Sequence, residues 1–179
     1  VDAMRITNRV EYPMKETWRE TVLEYQRPGR TRDVSTIVSA PGKEPTVAQR
    51  IFTTENSYIY MGDKWMTMPA SQDPVALIDE ALRLNTSAKR LDSAHRGRQV
   101  FQELEGTEDL DGKEMQVWVQ NDIKVFLEGE QVLGTQRTWV GADDGLVYKM
   151  VREAQSDKGH ERATTLYEYG DVTIEIPEA

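Results

Sequence analysis

The sequence predicts a mainly β, α+β fold in which one strongly curved antiparallel sheet carries a single helix. Apolar and polar residues alternate over short runs through most of the 179-residue chain, which is typical of antiparallel strands with one face in water. Glycine, proline and aspartate break these runs at turn positions. Strand runs are contiguous on both sides of one helical segment, and nothing indicates the strand–helix alternation of a parallel sheet.

Length and composition set the domain organisation and exclude one class of partner. A chain of 179 residues has room for one domain with a sizeable core, so we expect residues 1–179 to form a single domain. Hydrophobic residues make up 38% and charged residues 30%, as in globular proteins. The net charge of -9 repels polyphosphate, and we therefore expect no nucleic-acid partner.

The alternation predicts strands on both sides of the helix. Six precede it: Met4–Val10, Thr17–Gln26, Thr31–Ser39, Thr46–Thr54, Ser57–Met61 and Trp65–Met68. Seven follow it: Gln99–Glu105, Lys113–Gln120, Ile123–Glu128, Thr135–Val140, Leu146–Glu153, Ala163–Tyr169 and Val172–Ile176. The turn pair Asp111-Gly112 predicts a hairpin that turns Met115, Val117 and Val119 inward. In the last run we expect Val172, Ile174 and Ile176 to face the core and Thr173 and Glu175 to face water.

One segment, residues 73–84, has the pattern of an amphipathic helix. Asp73 suits the N-cap and Pro74 the first helical position. Val75, Ile78 and Leu82 recur at helical spacing and form an apolar stripe. A helix of about a dozen residues cannot seal a sheet of this many strands, so a groove or cavity is expected beneath it.

Signatures of common catalytic and metal sites were sought and not found. The two histidines, His95 and His160, have no ligand-type spacing, and there is no cysteine, nucleophile elbow or phosphate-binding glycine loop. The acidic segments 108–112 and 143–145 lack the full ligand pattern of a calcium loop and are interpreted as hairpin turns. We therefore predict no catalytic residues, no metal and no cofactor.

Methionine and aromatic residues concentrate in one predicted hairpin, residues 58–68. Methionine fills irregular space and adapts to varied apolar partners. Two interpretations stand: an ordinary core with gap-filling methionines, and a plastic pocket for lipid. On the second, the helix is a lid, and the residues predicted to line the cavity and lid are Ile59, Met61, Trp65, Val75, Ile78 and Leu82.

Four stretches, in their order and spacing, resemble a known superfamily. They are Glu24–Arg30 with its tyrosine, proline and basic residues, Ser57–Trp65 followed by Asp73-Pro74, Trp139–Tyr148 with its Asp-Gly turn, and Tyr167–Pro177. Together they resemble the periplasmic lipoprotein carriers of LolA-like fold, especially the LppX/LprG-like lipid-binding branch. The chain departs from that pattern because a strand run begins close to Val1, where the family has a helix, and because the lipidated cysteine of its lipoproteins is absent.

The resemblance implies a half-open barrel with a helical lid over an apolar cavity. It implies an extracytoplasmic carrier of lipid or lipoprotein acyl chains, in the periplasm or cell envelope. Since the sequence starts at Val1 and not at an initiator methionine, we expect either a processed form or a chain from which a targeting segment was removed, with a full-length precursor that associates with a membrane. An alternative use of the same scaffold is an envelope sensor or protein-interaction module, with an envelope protein as partner and a largely filled cavity. An enzyme is a third and less favoured interpretation.

Overall fold

The computed structural model describes residues 2–70, 72–84 and 102–177, and most of them belong to one antiparallel sheet. Its eleven strands are β1 (Ala3–Tyr12), β2 (Thr17–Gln26), β3 (Arg30–Val38), β4 (Thr46–Thr53), β5 (Asn56–Tyr60), β6 (Trp65–Pro69), β7 (Gln102–Leu110), β8 (Lys113–Leu127), β9 (Glu130–Gly141), β10 (Val147–Gln155) and β11 (His160–Tyr169). The helix α1 spans Pro74–Leu84, and one turn of 3₁₀ helix spans Pro13–Lys15.

The sheet consists of two meanders that meet at its centre. Its strand order is β6-β5-β4-β3-β2-β1-β11-β10-β9-β8-β7, so the first and last strands of the chain are neighbours. Their register pairs Met4 with Tyr169 and Val10 with Ala163. The sheet does not close on itself. The predicted fold class, an open antiparallel barrel with one helix, is confirmed.

Helix α1 begins as the sequence predicts. The Asp73 carboxylate accepts a hydrogen bond from the Val75 backbone N–H at 3.0 Å, which is the expected N-cap interaction. Pro74 occupies the first helical position, where its missing N–H costs nothing. The Asp73 carbonyl then accepts from the Leu77 N–H at 3.2 Å, the first regular bond of the helix.

Because residues directly opposite each other in a ladder point to the same side, the register assigns every strand residue to one of two faces. The Met4 face contains Met4, Ile6, Leu23, Tyr25, Phe52, Ile59, Trp118, Val140, Met150, Tyr167 and Tyr169. The Arg5 face contains Arg5, Arg9, Glu20, Glu24, Arg32, Ile51, Trp65, Arg137, Leu166 and Glu168. The Met4 face is mainly apolar on β1 and on β8 to β11, but its first meander also carries Arg19, Asp33 and Arg50. Charged pairs run along much of the Arg5 face.

Three predicted strands on the C-terminal side of the helix differ from the structure. The separate strands expected at Lys113–Gln120 and Ile123–Glu128 are one strand, β8, whose register shifts between Gln120 and Ile123. Asp122 takes a φ of 57° at that shift, which is how a bulge inserts extra residues without ending a strand. The strand expected at Val172–Ile176 is an extended segment outside the sheet.

The other predictions for this region hold where the structure describes them. The hairpin across Asp111-Gly112 joins β7 to β8. Residues 99–101 of the expected strand Gln99–Glu105 lie outside the described ranges. Met115 and Val117 are each 1% exposed, and they pack with Trp139 on the Arg5 face.

The segment after β11, residues 171–177, crosses the Arg5 face of the first meander. Val172 and Ile174 are buried with Ile51, as the alternation predicted, and Ile176 packs against the same cluster. Thr173 and Glu175 are exposed. Side chains supply the hydrogen bonds here: the Ile174 N–H donates to Gln26 Oε1, and Arg30 Nη1 donates to the Ile174 carbonyl, both at 3.0 Å.

Candidate functional site

The Met4 face carries two of the clusters of buried apolar side chains that the described residues form, and the Arg5 face carries two others. One cluster on the Met4 face buries Val140, Val147 and Tyr167, with partly buried side chains packed around them: Ile6, Trp118, Met150 and Tyr169. Toward the other end of the same strands, a second cluster buries Val125, Leu127 and Ala154. The two clusters line this face on β1 and on the strands β8 to β11.

Much of this lining is only half-buried. Ile6, Leu23, Tyr25, Ile59 and Trp118 are intermediate in exposure, although each lies within the sheet and not at a loop. Side chains of this kind in a finished core would be fully buried, because each leaves apolar area in contact with water. A half-exposed apolar sheet face is therefore suited to receiving a further apolar group.

The electrostatics of this face agree with its low polarity. Burial raises the pKa of the Tyr25 phenol, because removal from water disfavours the phenolate, and the Asp33 carboxylate raises it further. At the same end of the sheet Tyr169 donates its hydroxyl proton to the Val147 carbonyl at 2.6 Å. The tyrosines thus present their rings to the face while their hydroxyl groups remain protonated or hydrogen-bonded.

Helix α1 lies at the Tyr25 end of the sheet. A Cβ on Gly29, in the turn from β2 to β3, would meet Thr54 Cγ2 at 2.9 Å and Val75 Cγ2 at 3.3 Å, so the helix start packs directly on this turn. Arg27 in the same turn donates to Asp79 at 2.8 Å. The C-terminal segment occupies the Arg5 face at this end.

The six predicted cavity and lid residues fall into three groups. Ile78 is 3% exposed and Val75 packs near Gly29, while the side chain of Leu82 lies outside the described residues. Ile59 is on the Met4 face, and Met61 follows it in the turn with 55% exposure. Trp65 is on the Arg5 face, where it packs against the C-terminal segment. Ile59 and Trp65 therefore do not share a groove.

The separation of Ile59 from Trp65 follows from hairpin register. Tyr60 pairs with Trp65, and their rings lie 5.4 Å apart on one face, so Ile59 must point to the other. The sequence does predict these faces if residues are counted outward from the Gly62-Asp63 turn, since successive side chains alternate between faces. The concentration of methionine and aromatic residues in that hairpin does not predict them, because residue type alone does not give a side chain's face.

Sequence reasoning missed the polar groups of the Met4 face. Asn8, Thr138 and Gln136 lie on it, together with the ion pair in which Arg152 donates to Glu161 at 2.8 Å. In the sequence, each of these polar residues stands at a strand position where the alternation leads one to expect an apolar residue. Such a position is recognisable only when the register of several strands is known.

A second concavity lies on the Arg5 face, beside the C-terminal segment. It has a volume of about 520 Å³ and is lined by Arg32, Gln49, Ile51, Trp65, Thr173, Glu175, Ile176 and Pro177. Next to it the buried Glu24 carboxylate accepts from Arg5 at 2.7 Å and Arg32 at 3.3 Å. Half of this lining is polar or charged, so the groove suits an acyl chain less well than the Met4 face does.

The acidic segments interpreted as hairpin turns are turns in the structure. Asp109 accepts from the Gly112 N–H at 2.9 Å, and Asp111 and Gly112 both take positive φ. The Asp144 carboxylate accepts from the Leu146 N–H, from Lys113 and from the Tyr148 hydroxyl. These carboxylates are engaged in shaping their own turns. His160 lies on β11, and His95 is outside the described residues.

The chain is similar to several solved structures at low sequence identity. LprF from Mycobacterium bovis superimposes with a TM-score of 0.55 and 14% identity, covering 99% of this chain and 89% of LprF. LppX from Mycobacterium tuberculosis gives 0.46 and 10%, covering 92% and 85%. A LolA superfamily protein from Nitrosomonas europaea gives 0.27 and 12%, covering 96% and 86%. No protein-family model and no curated protein matches the sequence.

The likeness to LprF defines the class of fold. The chain has the fold of LprF, an open antiparallel sheet with a helix in its described part, and the fold that the resemblance in the sequence predicted is confirmed. In the described part of the chain no helix combines the length and the apolar content of a membrane span.

Proposed function

We propose that the protein binds and carries acyl chains of lipids or lipoproteins outside the cytoplasm, and that it does so without catalysis. The observation that carries the proposal is the half-exposed apolar Met4 face of a sheet that does not close. Each methylene removed from water on such a surface contributes about 0.8 kcal/mol, so a chain of ordinary length is held usefully. Extracytoplasmic carriage is what the LolA-like resemblance implies, and the apolar face supplies the physical means.

In this proposal the acyl chain lies along the Met4 face, with Ile59 among the lining residues and α1 as the lid. Val75 and Ile78 fix the lid against the sheet, and Leu82 belongs to the same helical stripe. Trp65 and Met61 are not part of this groove, because Trp65 lies on the opposite face and Met61 lies in an exposed turn. A single domain over residues 1–179 remains part of the proposal.

The first test exchanges one leucine on each face for glutamine. Leu23 is half-buried on the Met4 face, whereas Leu166 is 41% exposed on the Arg5 face. Leu23→Gln removes apolar contact with the chain, and we expect roughly tenfold weaker uptake of a fluorescent fatty acid, about 1.4 kcal/mol. Leu166→Gln is the matched control and should bind as the wild type does.

The outcome of this comparison decides the proposal. Equal affinity of the two folded variants would remove the Met4 face from binding. Failure of the wild-type protein to take up fatty acid, together with no co-purified lipid in native mass spectrometry, would instead favour the sensor or protein-interaction function.

A second test addresses the lid. Ile78→Asp places a carboxylate at a position that is 3% exposed, and Glu80→Ala changes an exposed position on the same helix. We expect Ile78→Asp to lose most of the fatty-acid uptake and Glu80→Ala to keep it. Because an unpaired buried carboxylate also costs several kcal/mol of stability, melting curves must first show that both variants are folded. Wild-type uptake by folded Ile78→Asp would exclude the lid from the mechanism.

A further inference from the structure

Polar side chains interrupt the Met4 face midway along its central strands. On β1, Asn8 occupies the position between the apolar Ile6 and Val10. Its register partner on β11 is Thr165, whose hydroxyl donates to Asn8 Oδ1 at 3.2 Å. Since both residues point to the same face, they form a polar step between two apolar regions.

The interruption continues on the next two strands. On β9, Thr138 and Gln136 separate Val140 from the small Gly134, and Gln136 Nε2 donates to Thr138 Oγ1 at 3.4 Å. Gln136 is also the register partner of Arg152 on β10. We name Asn8, Thr138, Gln136, Arg152 and Thr165 the polar subsite. It crosses four adjacent strands between the two apolar clusters of this face.

Arg152 gives the polar subsite its unusual electrostatics. Its guanidinium donates from Nη2 to the Glu161 carboxylate at 2.8 Å, and Glu161 is only 7% exposed. The two charges cancel, so the pair as a whole does not attract an anion. Arg152 Nε nevertheless has no hydrogen-bond partner, one of two buried side-chain polar atoms in the described ranges of which this is true. The other is Thr31 Oγ1, which is on the same face.

A buried donor without an acceptor costs free energy because it has lost its hydrogen bond to water. A hydrocarbon chain lying across the donor supplies no acceptor and leaves that cost unchanged. The Arg152 side chain as a whole is 41% exposed, although its Nε atom is itself buried. The ligand group that satisfies such a site carries acceptor oxygens but no net charge. Asn8 and Gln136 are likewise neutral and suited to a carbonyl.

We propose that the polar subsite binds the ester carbonyl of an acylated lipid, and that the two apolar regions on either side of it bind the hydrocarbon. This inference rests on the proposed function and deepens it, because it names the chemical class of the ligand. The protein distinguishes esters from hydrocarbons of the same length by hydrogen bonds made at one place along the face.

The test compares dioleoylglycerol with the dioleyl glycerol ether, which has the same chains and lacks the carbonyl oxygens. Both compete with a fluorescent fatty acid for the full-length chain. We expect the ester to bind roughly tenfold more tightly, as two hydrogen bonds of ordinary strength would give. Equal affinity for ester and ether would overturn the inference while leaving the proposed function intact. Binding of neither compound would overturn both.

Two variants locate the preference. Gln136→Leu, and the double change Arg152→Met with Glu161→Leu, remove polar groups without stranding a buried charge. Each should lower the ester-to-ether ratio about threefold, the share of one of the two hydrogen bonds, and keep ether binding. The control replaces the exposed pair on the Arg5 face, Arg137→Met with Glu105→Leu, and should keep the wild-type ratio. Subsite variants that retain the wild-type ratio would overturn the assignment.

Discussion

At the scale of single residues, a buried carboxylate organises the Arg5 face. Glu24 is 5% exposed and accepts from Arg5 Nη2 at 2.7 Å, from Arg5 Nε at 2.9 Å and from Arg32 Nη1 at 3.3 Å. The hydrogen bond to Glu24 raises the pKa of Arg5, and burial opposes the rise. Two arginines thus share one carboxylate, and neither arginine would be well placed without it.

The first residue-scale prediction concerns this carboxylate. Glu24→Ala removes the shared acceptor, and we expect a loss of about 2 kcal/mol in the free energy of unfolding, moderated because both arginines are partly exposed. Glu20→Ala, on the same strand, removes a longer contact of 3.5 Å to Arg9 and should cost less than about 0.5 kcal/mol. Urea denaturation measures both losses. Equal losses would show that the carboxylate shared by two arginines stabilises the protein no more than the single longer contact does.

The second residue-scale prediction concerns pH. Burial opposes ionisation of Asp144, but hydrogen bonds from Lys113, the Leu146 N–H and Tyr148 prevail and hold the pKa of Asp144 below its ordinary 3.8. A lowered folded-state pKa contributes stability above the unfolded-state pKa, and the contribution is lost as pH falls through the folded-state value. Asp144→Asn should therefore flatten the fall in melting temperature below about pH 4.

A matched variant isolates the effect of Asp144. Asp143→Asn changes the adjacent carboxylate, which is exposed, and should leave the acid limb of the stability curve as in the wild type. If both variants have the wild-type acid limb, the hydrogen bonds to Asp144 do not stabilise its ionised form.

At the scale of elements, the C-terminal segment shows how a pattern can be correct while its structural meaning differs. Alternation in residues 172–176 predicted which side chains are buried, and Ile174 is fully buried. It also predicted a strand, yet the segment is held by Gln26 and Arg30 side chains and not by a ladder. A period of two reports one buried face of an extended chain and does not report what that chain is hydrogen-bonded to.

This element leads to a stability prediction. Ile174→Ala removes most of a side chain that has no exposed surface, and we expect a loss of about 2–4 kcal/mol in the free energy of unfolding. Thr173→Ala, one residue earlier and exposed, should cost no more than about 0.5 kcal/mol. Comparable losses in denaturant titration would mean that the segment is not anchored by its buried face.

The elements that the sequence predicts well are those with local chemical signals. Asp73-Pro74 marks the start of α1, and Asp111-Gly112 places the β7–β8 hairpin, because cap and turn preferences act within a few residues. The bulge near Asp122 has no comparable signal. It depends on how β8 fits β9, and residue types alone therefore predicted two strands where there is one.

At the scale of the whole molecule, an open sheet has two edges that need protection. Among the described strands, β6 and β7 are outermost. β7 carries Glu103, Glu105, Glu108 and Asp109, and charge on an edge strand discourages pairing with another chain. The sheet is therefore open, which leaves the Met4 face accessible, and its β7 edge is protected by acidic side chains.

The edge leads to a prediction about association. Glu103→Val with Glu105→Val should promote dimers or larger assemblies, because valine favours strand pairing and the repulsion is removed. Glu114→Val with Glu130→Val makes the same charge change on β8 and β9, which already have neighbours on both sides, and should leave the mass unchanged. Sedimentation velocity gives the mass of each, and a monomeric edge variant would contradict the protective role.

The candidate site was predictable only in outline. Apolar alternation and one amphipathic helix imply a covered sheet face, and Ile78 is indeed buried on that helix. Which side chains line the groove depends on the register of several strands. Without that register, Trp65 and Ile59 are predicted to line the same groove, although they lie on opposite faces of the sheet. The polar subsite combines residues from β1, β9, β10 and β11, and no local window of sequence contains it.

The pairing of β1 with β11 determines when the sheet can be completed during folding. β1 pairs with β2, which follows it directly, but its other neighbour consists of residues 160–169. Until β1 and β11 meet, the first meander has an unpaired strand, and its Arg5 face lacks the segment that follows β11. Pairing at such sequence separation is slow and leaves apolar edges open to aggregation. We therefore expect aggregation during refolding to compete with this pairing.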